Sequence, residues 1–151
     1  MTKKKFVHAP NANDRAEYHS VLKKITRDNV CPFCPAHFKY HTRPILRTGK
    51  HWLLTENMSP YEGTKKHFLF IHKKHIETPQ KLSAAAWKEL LSHLNWVSKK
   101  YRLPAGGFFM RFGDMHYTGA SVAHLHAQMI IGSKKSKGSF IIGPTLGFGK
   151  R

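Results

Sequence analysis

The chain has 151 residues, 40% of them hydrophobic and 12% aromatic, which suits one globular domain that buries a core without disulfide staples. Its formal net charge of +18 makes a field that draws polyanions, nucleotides and nucleic acid included, although a general lysine-rich habit that keeps the chain soluble accounts for the charge equally well. No apolar run approaches the ~18 residues of a membrane span, and Lys3-Lys-Lys5 meets Phe6-Val7-His8-Ala9-Pro10 rather than an apolar stretch; neither a spanning segment nor a signal peptide is expected, and the expected location is cytoplasmic.

Residues 1–12 read as a loose basic arm. Asp14-Arg-Ala-Glu17 has the spacing of a capping box, and Tyr18, Val21, Leu22 and Ile25 follow at helical intervals, so a short amphipathic helix is expected to about Thr26. Arm and helix form a first segment, 1–30. Cys31-Pro-Phe-Cys34 then reads as a tight turn. These are the only two cysteines, which disfavours a disulfide framework and leaves a metal clip or a redox pair. Thiolates at this spacing grip one tetrahedral cation from a turn when two further ligands come from elsewhere, and nearly any of the twelve histidines qualifies.

From Ile45 to Glu56 the sequence reads as two short strands about Thr48-Gly49-Lys50, a hairpin. Residues 57–63 read as loop, and His67-Phe-Leu-Phe-Ile-His72 as a central strand, since its apolar character is nearly continuous. Thr78-Pro79 has the form of a helix start. Beyond it Leu82, Trp87, Leu90, Leu91, Leu94, Val97 and Tyr101 keep a 3.6-residue period, and Pro104 and Gly106-Gly107 end the helix. Phe108 to Phe112 is a predicted strand, Gly113 to Ser121 a loop, and His124 to Ile131 the last strand. The remainder, 133–151, reads as a basic surface extension. Three strands, a long helix and two strands make an α+β order with antiparallel neighbours.

The last strand is the one to watch for chemistry. His124, His126 and Gln128 fall on one parity and Leu125, Ala127 and Met129 on the other, so an extended chain shows the three polar groups to one surface. A neutral imidazole at His126 is a good nucleophile towards phosphorus when its other nitrogen donates to a carbonyl. Gln128 offers an amide to a phosphoryl or leaving-group oxygen but is a poor general acid. Main-chain N–H groups near Gly119 and Ser121, with the serine hydroxyl, suit non-bridging oxygens. The alternative is a polar strand face whose side chains satisfy one another.

Together these motifs resemble those of the histidine triad (HIT) superfamily of nucleotide hydrolases and transferases. His67-Phe-Leu-Phe-Ile-His-Lys-Lys-His-Ile76 looks like the family's strand and turn. Gly119-Ala-Ser-Val-Ala-His-Leu-His-Ala-Gln128 looks like its active-site loop and strand. Cys31 and Cys34 sit where zinc-bearing members keep their cysteines, and Asn57-Met-Ser-Pro60 resembles the segment that touches the ribose. The resemblance spans residues 31–132, the expected catalytic domain. It implies a HIT-like α+β fold, an antiparallel sheet of about five strands with one long and one short helix, commonly assembled as a homodimer.

The resemblance also implies roles. His126 takes up a nucleoside monophosphate as a covalent phosphoramidate, with His124 and Gln128 completing the catalytic set. Asn57, Arg111, Gly119 and Ser121 bind the nucleotide, and a structural Zn²⁺ is held by Cys31, Cys34, His75 and His124. The implied substrate is a dinucleoside polyphosphate or a nucleoside phosphoramidate. Gln128 at the third triad position resembles the galactose-1-phosphate uridylyltransferase and diadenosine-polyphosphate phosphorylase branches, which pass the nucleotide to phosphate rather than to water. Arg111 departs from a usual Asn, Asn57 from a usual Asp and His72 from a usual Pro. The basic charge keeps a second function open, a nucleic-acid-binding module that acts on adenylated 5′ ends.

Overall fold

The computed structural model describes residues 4–12 and 16–151. Helix α1 spans Ala16–Asp28, two residues longer than the periodicity implies. It buries Leu22 and Ile25 and stops at Asn29, whose φ of 49° is the left-handed conformation that asparagine tolerates at a helix end. Asp14 and Arg15 of the expected capping box lie outside the described residues. The segment read as a loose arm is docked over its described part. Val7 is buried and bridges Val122, and the His8 N–H donates to the Ser121 carbonyl at 2.9 Å.

Five strands follow: β1 Ile45–Thr48, β2 Trp52–Glu56, β3 Lys66–His72, β4 Gly107–Arg111 and β5 His126–Ile131. They form one antiparallel sheet in the order β1-β2-β3-β5-β4. β3 is central, as its continuous apolar run requires, because a strand paired on both sides and covered on both faces has no solvated side. β5 inserts between β3 and β4, so the polar strand is paired along both edges.

Helix α2, Ala84–Lys100, links β3 to β4. It begins at Ser83, whose hydroxyl accepts from the Ala86 N–H at 3.1 Å; Pro79 opens only a short 3₁₀ turn, Pro79–Lys81. The serine wins because it caps an orphan N–H, whereas proline merely tolerates a first turn. Leu90 and Val97 of α2 pack on Trp52, Leu54, Phe68, Phe70, Ala127, Met129 and Ile131, all on one face of the sheet. That apolar burial is the main core.

The opposite face carries Leu53, Leu69 and Ile71, partly covered by Phe33 and Phe38, with His67, His126 and Gln128 in register beside them. α1 and Val122 form a second small core over this face. The loop expected between Gly113 and Ser121 contains a single helical turn, α3, Met115–Thr118, capped by Asp114 and ended by Gly119 at φ +71°. No helix among the described residues is long and apolar enough to cross a membrane.

Candidate active site and metal centre

Between α1, the Phe33 turn and the polar face of the sheet lies a cleft of about 240 Å³. His126 and Gln128 form its floor, and Asn57, Ser59, Tyr61, Arg111, Ser121 and Tyr18 line its walls. Period-two alternation put His126 and Gln128 on one face, and both are almost wholly buried, at 6% and 3% exposure. The regular strand starts at His126, two residues later than read, so His124 leaves the ladder and does not line the cleft.

His126 Nδ1 lies 2.6 Å from the His124 carbonyl. A carbonyl only accepts, so the proton sits on Nδ1 and the Nε2 lone pair is left for the cleft. Burial, helped by the Arg111 charge, pushes the His126 pKa down to about 4, which keeps the ring neutral near pH 7. Phe33 packs edge-on against it with ring centroids 5.0 Å apart.

Gln128 is oriented by His67, its diagonal neighbour on β3, two residues from its register partner Leu69. His67 Nε2 donates to Gln128 Oε1 at 2.8 Å, while His67 Nδ1 accepts from the Tyr61 N–H at 3.3 Å. With its oxygen engaged, Gln128 turns its NH₂ group to the remaining space. Desolvation holds His67 neutral, with a pKa of about 4. Sequence reasoning placed His67 on the central strand but gave it no function; a buried polar residue in an apolar run was the available signal.

Arg111 stands opposite His126 in the β4–β5 register. Its Nη1 donates to two neutral carbonyls, Gly119 at 3.2 Å and Thr145 at 3.0 Å, and its Nε is buried without a partner among the described residues. The Ser121 hydroxyl lies 3.0 Å from the Tyr18 hydroxyl at the cleft wall. Asn57 turns inward: its Oδ1 accepts from the Ser59 N–H at 2.9 Å and its Nδ2 lies 3.3 Å from the His67 ring. Gly119 stands behind the wall, its N–H taken by the Met115 carbonyl at 3.0 Å. Tyr18, Tyr61 and two residues of the C-terminal segment, Gly143 and Thr145, also line the cleft; no local pattern marks them.

A second cluster lies beside the cleft. The donor atoms of Cys31, Cys34, His75 and His124 all fall within 4.8 Å of one another. His124 Nδ1 is 3.2 Å from Cys31 Sγ and 3.2 Å from His75 Nδ1, and His75 Nδ1 is 3.5 Å from Cys34 Sγ. His124 Nε2 donates to the His72 carbonyl at 2.5 Å, and His75 Nε2 meets the Glu77 carboxylate at 3.2 Å. Each ring therefore carries its proton outward and turns an Nδ1 lone pair inward. Two lone pairs facing at 3.2 Å repel unless a cation lies between them. Tetrahedral Zn²⁺ with bonds of ~2.05 Å to nitrogen and ~2.3 Å to sulfur sets N···N near ~3.3 Å and S···N near ~3.6 Å, so the donor set fits. The oxygen partners on the outer nitrogens are those that orient metal-bound imidazoles. Burial pushes the Cys31 thiol well above its ordinary range, the reverse of a reactive redox cysteine.

No protein-family model matches the chain, and no curated protein matches it either. Solved structures do. A histidine triad protein from Clostridium difficile superposes with a TM-score of 0.52 at 19% identity, covering 72% of this chain and 96% of that one. A HIT family hydrolase from Clostridium thermocellum gives 0.53 at 18% identity, covering 74% and 96%. A Zn-bound histidine triad family protein from Mycobacterium smegmatis gives 0.55 at 15% identity, covering 76% and 83%. At such identities the likeness is one of architecture: the five-stranded sheet with its helices is the histidine triad fold.

Proposed function

We propose that this protein is a nucleotide-binding HIT-type nucleotidyl transferase or hydrolase, acting through a covalent nucleotidyl–His126 intermediate. One observation carries the reading. A buried neutral imidazole has its Nδ1 proton committed to a backbone carbonyl at 2.6 Å and its Nε2 free, beside an oriented amide and an arginine whose hydrogen bonds, among the described residues, go to neutral carbonyls.

Nε2 of His126 attacks the α-phosphorus of a nucleoside phosphoanhydride. A P–N bond forms as the P–O bond to the leaving phosphate breaks, and the departing oxyanion carries away the electron pair. The positive charge that grows on the ring is supported through Nδ1–H and the His124 carbonyl. The Gln128 amide and Arg111 donate to phosphoryl oxygens, where negative charge accumulates. Water or phosphate then attacks the phosphorus, breaks the P–N bond and restores the imidazole. Gln128 has no proton to give an amine, so a phosphate leaving group suits this cleft better than the amine of a phosphoramidate. The same lack makes inorganic phosphate the favoured acceptor, since it needs no general base. The cluster of Cys31, Cys34, His75 and His124 would hold Zn²⁺, whose chemistry is structural: with four protein ligands it has no open position for substrate.

Intact-mass spectrometry after rapid mixing with dinucleoside polyphosphates tests this. An adduct of one nucleoside monophosphate is expected on the native chain and is absent from His126→Ala. An identical adduct on His126→Ala would refute His126 as the nucleophile.

A further inference from the structure

Residues 139–148 have no regular structure, yet they cross back over the body of the protein. The Phe140 ring lies over Gly63, where an added Cβ would come within 2.6 Å of it. The Thr145 methyl sits on Gly119, where a Cβ would come within 2.4 Å, so both seats exist because these positions lack side chains. Gly143 and Thr145 close one side of the catalytic cleft. The same segment leaves much of its apolar surface in water: Ile141 is 94% exposed, and Leu146 and Phe148 are exposed by about two thirds. A segment that buries this little opens at small cost.

What fastens it is Arg111. One side chain joins the segment to the cleft, donating from Nη1 to the Thr145 carbonyl at 3.0 Å and to the Gly119 carbonyl at 3.2 Å. Both acceptors are neutral, and the guanidinium keeps a buried Nε with no partner among the described residues. A phosphate adds ion-pair attraction to these hydrogen bonds and meets the guanidinium fork bidentately by preference, neither of which a neutral carbonyl offers. A phosphate group that enters the cleft therefore competes for Arg111 on favourable terms, and each donor it takes is withdrawn from the strap.

We propose that residues 139–148 form a strap over the catalytic cleft, latched by Arg111 to the Thr145 carbonyl, and that a phosphate-bearing ligand releases it by capturing Arg111. The strap walls one side of the cleft through Gly143 and Thr145, and capture of Arg111 by an anion frees it at the Thr145 end. The inference rests on reading the cleft as a phosphate site, but not on any turnover there.

The test uses the full chain with 4-fluorophenylalanine at Phe148, next to the latch, and inorganic pyrophosphate as the probe. On titration the ¹⁹F resonance is expected to move saturably from its docked position towards that of the free amino acid. Sodium chloride of equal ionic strength leaves it in place. In Arg111→Met the resonance starts near the undocked position and does not respond. A label at Phe140 reports the seat on Gly63 in the native chain, and is expected to move less than that at Phe148. The proposal is overturned if pyrophosphate leaves the Phe148 resonance unmoved, if sodium chloride moves it equally, or if Arg111→Met keeps both the docked signal and the response. Because no chemistry occurs in this titration, a missing His126 adduct would defeat the catalytic reading without touching the strap, and the converse holds too.

Discussion

At the scale of single residues, the site is a set of protonation choices imposed by neighbours. His126 is neutral because it is buried, and its proton is on Nδ1 because a carbonyl waits there. Removing the ring as His126→Ala is expected to cost at least ~10³-fold in kcat/KM, the scale seen when other nucleophiles are deleted; retention of most activity would defeat the mechanism. His67 makes a separate prediction about stability. Its pKa is about 4 in the folded chain against an ordinary 6.5. Between those values the unfolded chain takes up a proton that the folded ring refuses. Stability therefore falls as pH drops through that window and levels off below it, by up to about 3 kcal/mol from this residue. Urea midpoints at pH 7 and pH 4.5 should fall less steeply for His67→Gln than for the native chain. An identical fall in both would show that His67 is not the titrating group.

At the scale of elements, α2 does more than cover the sheet. The Glu89 carboxylate accepts the N–H groups of Lys50, His51 and Trp52 at 3.1, 2.9 and 2.8 Å, fastening the β1–β2 turn to the helix. Burial alone would raise the Glu89 pKa, but the His51 and Trp52 N–H bonds and the nearby His51 and His93 rings outweigh it and hold the carboxyl below its usual range. Glu89→Ala leaves the His51 and Trp52 N–H groups without their acceptor, while water reaches the exposed Lys50 N–H, and about 2 kcal/mol of stability should go with them. The check is a lower denaturant midpoint at unchanged m-value; an unmoved midpoint would mean that strand pairing alone holds the hairpin.

Elements of this kind were partly legible beforehand. Alternation in 124–129 and the 3.6-residue period after Leu82 mark the floor of the cleft and the helix behind it, because both signals are local. α2 starts later than Thr78-Pro79 implies, because proline at 79 is a visible signal while the Ser83 cap depends on where the chain turns. The bond from His67 to Gln128 follows from the β3–β5 register, and the contribution of Gly143 and Thr145 from a chain reversal. Neither leaves a local periodicity to find.

At the scale of the whole molecule, the four-residue cluster ties three distant stretches together: the Cys31–Cys34 turn after α1, the end of β3 through His75, and the start of β5 through His124. Elemental analysis is expected to find about one zinc per chain. Its removal by a chelator should lower the thermal midpoint by several degrees, since a bound metal contributes directly to folding free energy. A purified chain without zinc, whose midpoint stays put when Zn²⁺ is added, would end that assignment.

His124 has a further consequence, because one residue serves both sites: its ring belongs to the cluster and its carbonyl holds the proton of His126. The two sites are thus joined by a single peptide unit, and their occupancies obey thermodynamic reciprocity. By whatever factor zinc tightens the hold on nucleotide, nucleotide must tighten the hold on zinc. If zinc tightens nucleotide binding, a chain given ample nucleotide would hold zinc at concentrations below those its metal affinity alone implies.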